Sequence, residues 1–394
     1  MIICDKKICT GCAACYSICP VNCISMEYDE DGFLVPIVDD ENCIKCNKCK
    51  EICPSLNKVP YKNYKSPITI GCWHKNKETL KKSSSGGAFS AMAEYTFKNN
   101  GVVIGCSMGE DLTPYHTIAY DYEDLKPIHG SKYLQSEIKD MYIETKKLLD
   151  MGVDVLFSGC PCQIAGLYAY LKNDVYTNLI TVDLVCHGVG SKKIFDNYIQ
   201  EMNEKFGDSI KEISFRSKEK NGRNYVTKLS FSNSSPKYVS ALRDPYMSCY
   251  LQRAIYRDSC YQCKYADLPR VADFTVGDFI GINRKEISKK DYRNGVSVIL
   301  LNNKKAEEKF EDFKQYLNWM ERPLKEATST NSNIYKSSVM PSYREEIFNS
   351  FDSVTTVKNK YCNFKLRVHI ANIIGEDNML LVKGLLRKIR FKQN

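Results

Sequence analysis

Two segments of the chain repeat one cysteine spacing. Cys9-Thr10-Gly11-Cys12-Ala13-Ala14-Cys15-Tyr16-Ser17-Ile18-Cys19-Pro20 and Cys43-Ile44-Lys45-Cys46-Asn47-Lys48-Cys49-Lys50-Glu51-Ile52-Cys53-Pro54 both read C-x-x-C-x-x-C-x-x-x-C-P. No other feature restricts the fold as much. Three thiolates on one tight loop grip three corners of a cubane iron–sulfur core. The fourth Cys, one helical turn further on, points away and holds the other core. The spacing therefore predicts two 4Fe–4S clusters with crossed ligands. Cys9, Cys12, Cys15 and Cys53 form site 1, and Cys43, Cys46, Cys49 and Cys19 form site 2. Zinc sites use paired C-x-x-C motifs, not a triplet closed by Cys-Pro.

Between the motifs, residues 23–28 and 33–38 flank Asp29-Glu30-Asp31-Gly32 and read as two strands joined by a turn. So small a domain has little apolar core, and the clusters must hold it together. Cys4 and Cys23 fall outside the motif and read as packing residues. The chain has 19 cysteines, and Met1-Ile2-Ile3-Cys4-Asp5 has no basic head and apolar run. The expectation is a cytoplasmic protein with reduced, metal-bound thiols. No apolar run approaches the ~18 residues that span a membrane. The formal charge of +9 is spread along the chain, without a basic tract interleaved with aromatics, so nucleic acid is not an expected partner. The exception is the tail with Lys383, Arg387, Lys388, Arg390 and Lys392. It reads as a solvated terminus, or as a peripheral contact with an anionic membrane or partner.

The expected fold is multi-domain α+β: a two-cluster ferredoxin-like domain at 1–56, a linker at 57–67, an α/β mixed-sheet domain at 68–320, and an extension at 321–394, helical or irregular. In the large domain strands are expected near 68–73, 101–106, 115–120, 153–158, 179–185, 210–215, 225–231, 271–276 and 296–301. Helices are expected at 88–98, 137–151, 163–171, 191–206 and 245–256. A further amphipathic helix is expected over 304–320, with Phe310, Phe313, Leu317 and Met320 on one stripe.

Several groups in this domain carry candidate chemistry. Ser83-Ser84-Ser85-Gly86-Gly87 opens a helix, where free N–H groups and glycine suit a phosphate. It reads equally well as an ordinary cap with glycines in the turn. Gly130-Ser131-Lys132-Tyr133-Leu134-Gln135-Ser136 gathers a cation, an aromatic ring and hydroxyls. Cys162, Cys186, Cys260 and Cys263 stand near loop ends and would meet at the carboxyl edge of a sheet. They read as a third cluster, a zinc site, or unreactive cysteines beside an isolated pair. His187 reads as a proton relay or a core histidine. Asp273 and Asp278 read as partners of a cofactor hydroxyl or as caps.

Taken together and in order, Ser85–Ser90, Gly130–Ser136, Pro161–Leu167, Asp183–Gly188, Cys260–Cys263 and Asp273–Gly281 resemble the coenzyme F420 hydrogenase/dehydrogenase beta-subunit family, here behind a two-cluster ferredoxin domain. The resemblance covers roughly residues 68–300. It implies a flavin enzyme that holds FAD beside a further 4Fe–4S centre. It implies that Cys162, Cys186, Cys260 and Cys263 are ligands of a third cluster, and that Ser85, Gly86, Gly87, Lys132, Tyr133, Gln135, Ser136 and Asp278 bind the cofactor. Relatives reduce a deazaflavin coenzyme or chlorophyll-type pigments. Two departures stand out. Cys160 occupies a position expected to hold Thr or another small residue, so that Cys160 and Cys162 compete as ligand. The stretch Asn221-Gly222-Arg223-Asn224-Tyr225 lacks an expected Trp.

The leading reading is an oxidoreductase. Single electrons from a ferredoxin-like or other redox protein pass through the clusters to FAD, which reduces, or in reverse oxidises, a small molecule, with His187 as a catalytic residue. The competing reading is a relay subunit that passes electrons to a partner enzyme.

Overall fold

The computed structural model describes residues 1–172, 176–219 and 226–364. The expected turn at 220–222, the 221–225 stretch and the basic tail lie outside these residues. Strand β1 (Ile24–Tyr28) pairs antiparallel with β2 (Leu34–Val38). Each cysteine motif closes with one helical turn, Ala14–Ser17 or Lys48–Glu51, entered through a left-handed residue, Ala13 (φ 63°) or Asn47 (φ 59°). Around them lies a core of six buried residues, Ile3, Cys15, Cys23, Ile24, Cys49 and Cys53. Four of the six are cysteines, so bound ligand rather than apolar area must stabilise this part.

Residues 57–67 form no helix or strand, but they are fastened to the body. Val59 is buried. Asn63 Nδ2 donates to the carbonyls of Arg270, Val271 and Ala272 at 2.8, 3.1 and 2.9 Å, and Tyr64 N donates to Asn302 O at 2.7 Å.

The remaining strands are β3 (Ile68–His74), β4 (Val102–Met108), β5 (Pro114–Ala119), β6 (Val155–Gly159), β7 (Leu179–Leu184), β8 (Ile210–Ser214), β9 (Val226–Phe231), β10 (Lys237–Ser240), β11 (Phe274–Asp278), β12 (Ser297–Leu301) and β13 (Leu317–Arg322). Eight of them form one mixed sheet, in the order β13-β3-β12-β11-β7-β6-β4-β5. Strands β4, β6, β7 and β11 run parallel, and the outer pairings are antiparallel. Alternate residues separate the faces, as the strand period requires. Val103, Leu156 and Val182 pack with the helices Ala88–Lys98 and Lys304–Phe313. Val102, Ile104, Val155 and Phe157 pack with the helices Met141–Asp150 and Pro161–Leu171, and with Cys12, Ala13 and Ala14 of the first motif. The ferredoxin segment is thus seated on this second face. Strands β10-β9-β8 form a separate antiparallel sheet. It shares a core with the helices Lys192–Phe206, Pro245–Leu251 and Val354–Tyr361.

The expected helix over 304–320 needs correction. It stops at Phe313, passes through a 3₁₀ turn at Lys314–Tyr316, and continues as edge strand β13 beside β3, Leu317 opposite His74 and Met320 opposite Gly71. Phe310, Phe313 and Leu317 are buried in one core, but Met320, three residues along the strand from Leu317, packs on the other face of the sheet, so the four do not form one stripe. Pairing with the open edge of β3 satisfies more backbone groups than another helical turn on the surface would.

Asp244 caps the helix Pro245–Leu251. Its carboxylate accepts from Met247 N at 2.8 Å and from Tyr198 Oη at 2.7 Å. Burial raises its pKa to about 6. Between about pH 4 and about pH 6 the folded state then holds a proton the unfolded state has lost, so stability falls as pH rises through that window. Asp244→Asn keeps a capping oxygen without the charge. Its stability relative to the parent should grow by roughly 3 kcal/mol from pH 4 to pH 7, read from anaerobic denaturation midpoints. A pH-independent difference would contradict this assignment.

Candidate functional site

The carboxyl ends of β4, β6, β7 and β11 lie along one edge of the sheet, followed by Gly109, Cys160, Val185 and Phe279. The antiparallel register brings Cys72 and Ser297 to the same edge. Ligands of open α/β sheets collect at such an edge.

Site 1 gathers the expected set. Cys12 and Cys15 both feel the charges of Cys9 and Cys53, so the last Cys of the second motif reaches the first loop. Gly11 N donates to Cys9 Sγ at 3.4 Å. At site 2, Cys49 faces Cys46 and Cys43. Cys19, Cys23, Cys43, Cys46 and Cys49 line one cavity of about 300 Å³ whose lining holds no carboxylate. A lining with five cysteines and no carboxylate suits soft, thiolate-ligated iron. Cys23 Sγ lies 3.4 Å from Cys19 Sγ, and Cys4 lies against Cys9 and Cys53. Both are therefore neighbours of the ligand sets as well as packing residues.

Cys162, in the first turn of the helix Pro161–Leu171, Cys186, after β7, and Cys260 and Cys263, in and after the short helix Asp258–Tyr261, come together as site 3. They line a cavity of about 490 Å³ with Thr10, His187, Arg257 and Arg270. Cys162 feels the charges of Cys263, Cys186, Cys260 and also Cys12, so sites 1 and 3 are neighbours. Burial pushes the Cys12 and Cys260 thiols up to about 12. Only a bound metal core would hold them as thiolates at neutral pH. Among the described residues, no group of three or more His, Cys, Asp or Glu side chains converges on a single-ion site. Cys160 does not line the cavity. It caps the helix Pro161–Leu171, its sulfur accepting from the N–H of Gln163 while its own N–H donates to Gln163 Oε1 at 3.0 Å.

The expected cofactor residues divide into two groups. Tyr133 and Asp278 meet at Arg216, which spacing gave no reason to choose, and Ser85, Gly86 and Gly87 follow directly on its third contact, Ser84. Arg216 pairs with Asp278 at 2.9 Å, reaches Tyr133 Oη at 3.3 Å and donates to Ser84 O at 3.0 Å. Gly86 is glycine for contact with the sheet. A Cβ there would lie 2.3 Å from Cys72 O and 2.4 Å from Ser297 N. Its N–H already donates to Ser297 Oγ at 2.8 Å. Gly87 (φ 82°) leads into the helix Ala88–Lys98, whose N-terminus no side chain caps. Those first-turn N–H groups fit an anionic group of a cofactor.

Lys132, Gln135 and Ser136 do not join that cluster. Lys132 Nζ lies 2.8 Å from Cys106 O and 2.9 Å from the carbonyls of Pro127, Ile128 and His129. Burial lowers its pKa to about 8. Gln135 Nε2 donates to Thr10 O at 2.8 Å and Gly11 O at 2.9 Å, on the site 1 loop. Ser136 Oγ lies 2.9 Å from His116 Nδ1 and accepts from Gln163 Nε2 at 3.1 Å. For a flavin the fit is therefore partial. The helix N-terminus and the Arg216 group suit it, and three of the expected contacts are spent on the protein itself. His187 stands at the rim of the site 3 cavity, exposed, with its carbonyl accepting from Ser338 Oγ at 2.6 Å. Asp273 serves the other end of β11. Its carboxylate accepts from Thr181 N and pairs with Lys305.

Comparison with known proteins gives three family matches in order along the chain. Residues 8–57 match a 4Fe–4S dicluster domain. Residues 69–141 match the N-terminal part of the coenzyme F420 hydrogenase/dehydrogenase beta subunit, and residues 153–326 its C-terminal part. Among individual relatives, an uncharacterised protein of Methanocaldococcus jannaschii is 27% identical over 202 residues, 43% of this chain and 54% of that protein. The coenzyme F420-dependent sulfite reductase of the same organism is 25% identical over 169 residues, 42% of this chain and 25% of that enzyme. The alignments thus span about half the length of the first relative and a quarter of the second. A solved structure of the F420-reducing [NiFe] hydrogenase complex from Methanosarcina barkeri contains a chain 16% identical, at a TM-score of 0.47, covering 77% of this chain and 94% of that one. Among the described residues no helix is long and apolar enough to cross a membrane. With both parts of the beta subunit matched in order behind a dicluster domain, the chain belongs to the coenzyme F420 hydrogenase/dehydrogenase beta-subunit family.

Proposed function

We propose that the chain is an iron–sulfur flavoprotein oxidoreductase. With clusters and flavin bound, single electrons from a ferredoxin-like or other redox protein would pass by way of sites 2, 1 and 3 to FAD, for two-electron reduction or reverse oxidation of a small molecule. The family name suggests a deazaflavin coenzyme as the substrate class. The observation that carries the reading is the adjacency of site 1 to site 3, and of site 3 to the carboxyl edge. Bound clusters would supply one-electron transfer, and a bound flavin would couple such steps to two-electron chemistry.

The residues have separable roles in this reading. The twelve motif and loop cysteines supply thiolates: Cys9, Cys12, Cys15 and Cys53; Cys43, Cys46, Cys49 and Cys19; and Cys162, Cys186, Cys260 and Cys263. The Gly87 helix terminus would take the flavin's anionic part, and the Arg216–Asp278 pair with Tyr133 would hold its polar edge. Lys132 fixes the 127–132 loop through its carbonyl contacts. His187, at the cavity rim, would move a proton at a ring nitrogen. The division at 1–56, 57–67, 68–320 and 321–394 belongs to the same reading.

A second reading has one observation in its favour. Lys132, Gln135 and Ser136 are engaged with the protein, as expected of a relay subunit whose flavin site has decayed. The deciding experiment uses the isolated chain, reconstituted anaerobically with iron, sulfide and FAD. One FAD per chain and turnover of an acceptor with a reduced low-potential donor are expected. Full iron without flavin or turnover would leave the relay reading instead.

A further inference from the structure

Among the described residues three arginines are almost fully buried, and two of them have carboxylate partners. Arg270 pairs with Asp183 at 3.0 Å, and Arg344 with Asp258 at 2.8 Å. Arg257, only 2% exposed, is different. Among the described residues its guanidinium donates to carbonyl oxygens alone, Cys9 O at 3.0 Å and Leu34 O at 2.6 Å, and it stands over the Phe33 ring at 5.3 Å. Its Nε is buried with no hydrogen-bond partner. A buried cation without counter-charge is strongly disfavoured.

The surroundings of Arg257 supply that counter-charge once iron is bound. Arg257 lies immediately before the helix Asp258–Tyr261 that carries Cys260, and it lines the site 3 cavity. Its guanidinium donates to the carbonyl of Cys9, a site 1 cysteine, and lines the same cavity as Cys260 of site 3. The ferredoxin segment is shaped to admit it. Gly11 has φ 61°, and a Cβ there would lie 2.9 Å from Arg257 Nη2 and 2.7 Å from Leu34 O. A cubane with four thiolates is a net anion, so two such sites around one guanidinium compensate it.

We propose that Arg257 is a positioning residue shared by sites 1 and 3, whose fixed charge raises the reduction potentials of both and holds the ferredoxin segment against site 3. The proposal rests on the cluster reading of these two sites. Reduction adds one negative charge to a site, and a nearby cation favours the more negative state. With clusters bound, an electron passed from site 1 to site 3 would oxidise the first and reduce the second, and no proton need move. The total charge around Arg257 is unchanged, so its guanidinium can serve both states without rearrangement. Arg suits the position because it cannot lose its proton.

The test is a redox titration followed by electron paramagnetic resonance on full-length Arg257→Gln, Arg257→Met and Arg257→Lys, each with its iron counted. Iron content checks the cluster reading, and the potentials check the role of Arg257. In a neutral variant with parental iron, sites 1 and 3 should be at least tenfold harder to reduce, about 59 mV for one electron. Site 2 should be unmoved, and the Lys variant should stay within about threefold of the parent. Unchanged potentials at sites 1 and 3 in an iron-replete neutral variant would overturn the proposal. So would a Lys variant shifted as far as the neutral ones. If neither neutral variant keeps its iron, the Lys variant decides alone. Potentials near the parent's support the role, and a tenfold shift overturns it.

Discussion

Replacing Cys162 by Ser will leave about four fewer irons per chain, whereas replacing Cys160 by Ser will leave the iron content unchanged. The two cysteines flank one proline and compete as ligands in the sequence. The fold separates them. Cys162 lines the site 3 cavity with Cys186, Cys260 and Cys263. Cys160 holds the start of its helix through the reciprocal contact with Gln163. A Ser in its place retains a good capping oxygen, so that exchange is mild. Cys160 Sγ lies 4.0 Å from Cys186 Sγ, so a vacated ligand position has a substitute thiol nearby. The double replacement Cys160→Ser/Cys162→Ser removes that rescue. Iron analysis and low-temperature spectra of the three variants check the assignment. Loss of four irons from Cys160→Ser alone would reverse it.

Asp183→Ala will destabilise the protein by about 3–5 kcal/mol, the largest stability effect expected of a single change outside the cysteines. Asp183 and Arg270 are both fully buried, paired at 3.0 Å. Arg270 also donates to Leu184 O at 3.0 Å and Tyr265 O at 2.9 Å. Removing the carboxylate leaves a desolvated guanidinium at the centre of the sheet, where β7 meets β11. The charge lies near Cys186 and Cys263, so site 3 would also become easier to reduce. Anaerobic denaturation gives the first effect and redox titration the second. A loss below about 1 kcal/mol would mean that Arg270 finds another counter-charge.

The parts of this fold that were legible in the sequence are those governed by local chemistry. The cysteine spacing names eight thiols that the structure brings together at sites 1 and 2, but it gave no sign that Cys4 and Cys23 would lie against them. The strands and helices of the large sheet follow from apolar periodicity, and β6 with the helix after it lies within a few residues of its expected place. What failed was decided by long-range partners. Nothing within 314–322 says that β3 will have a free edge there, and the helical stripe over 304–320 gave no warning of the change. The same limit applies to side chains. Lys132 and Gln135 resemble cofactor contacts in their motif. Their partners are carbonyls from segments far away in sequence, which spacing does not encode. Arg257 was invisible for the same reason. It precedes the Cys260–Cys263 pair by three residues, but its hydrogen bonds end on Cys9 and Leu34.

The central claim is that site 3 carries a cluster in series with the two of the dicluster domain. It is tested most directly by counting iron and acid-labile sulfide in anaerobically reconstituted, full-length protein, with Mössbauer spectra to identify the cluster type. Three centres predict about twelve irons per chain, all in 4Fe–4S form. About eight irons, with Cys162, Cys186, Cys260 and Cys263 still titrating as free thiols, would contradict the claim and leave the chain with its two N-terminal clusters alone.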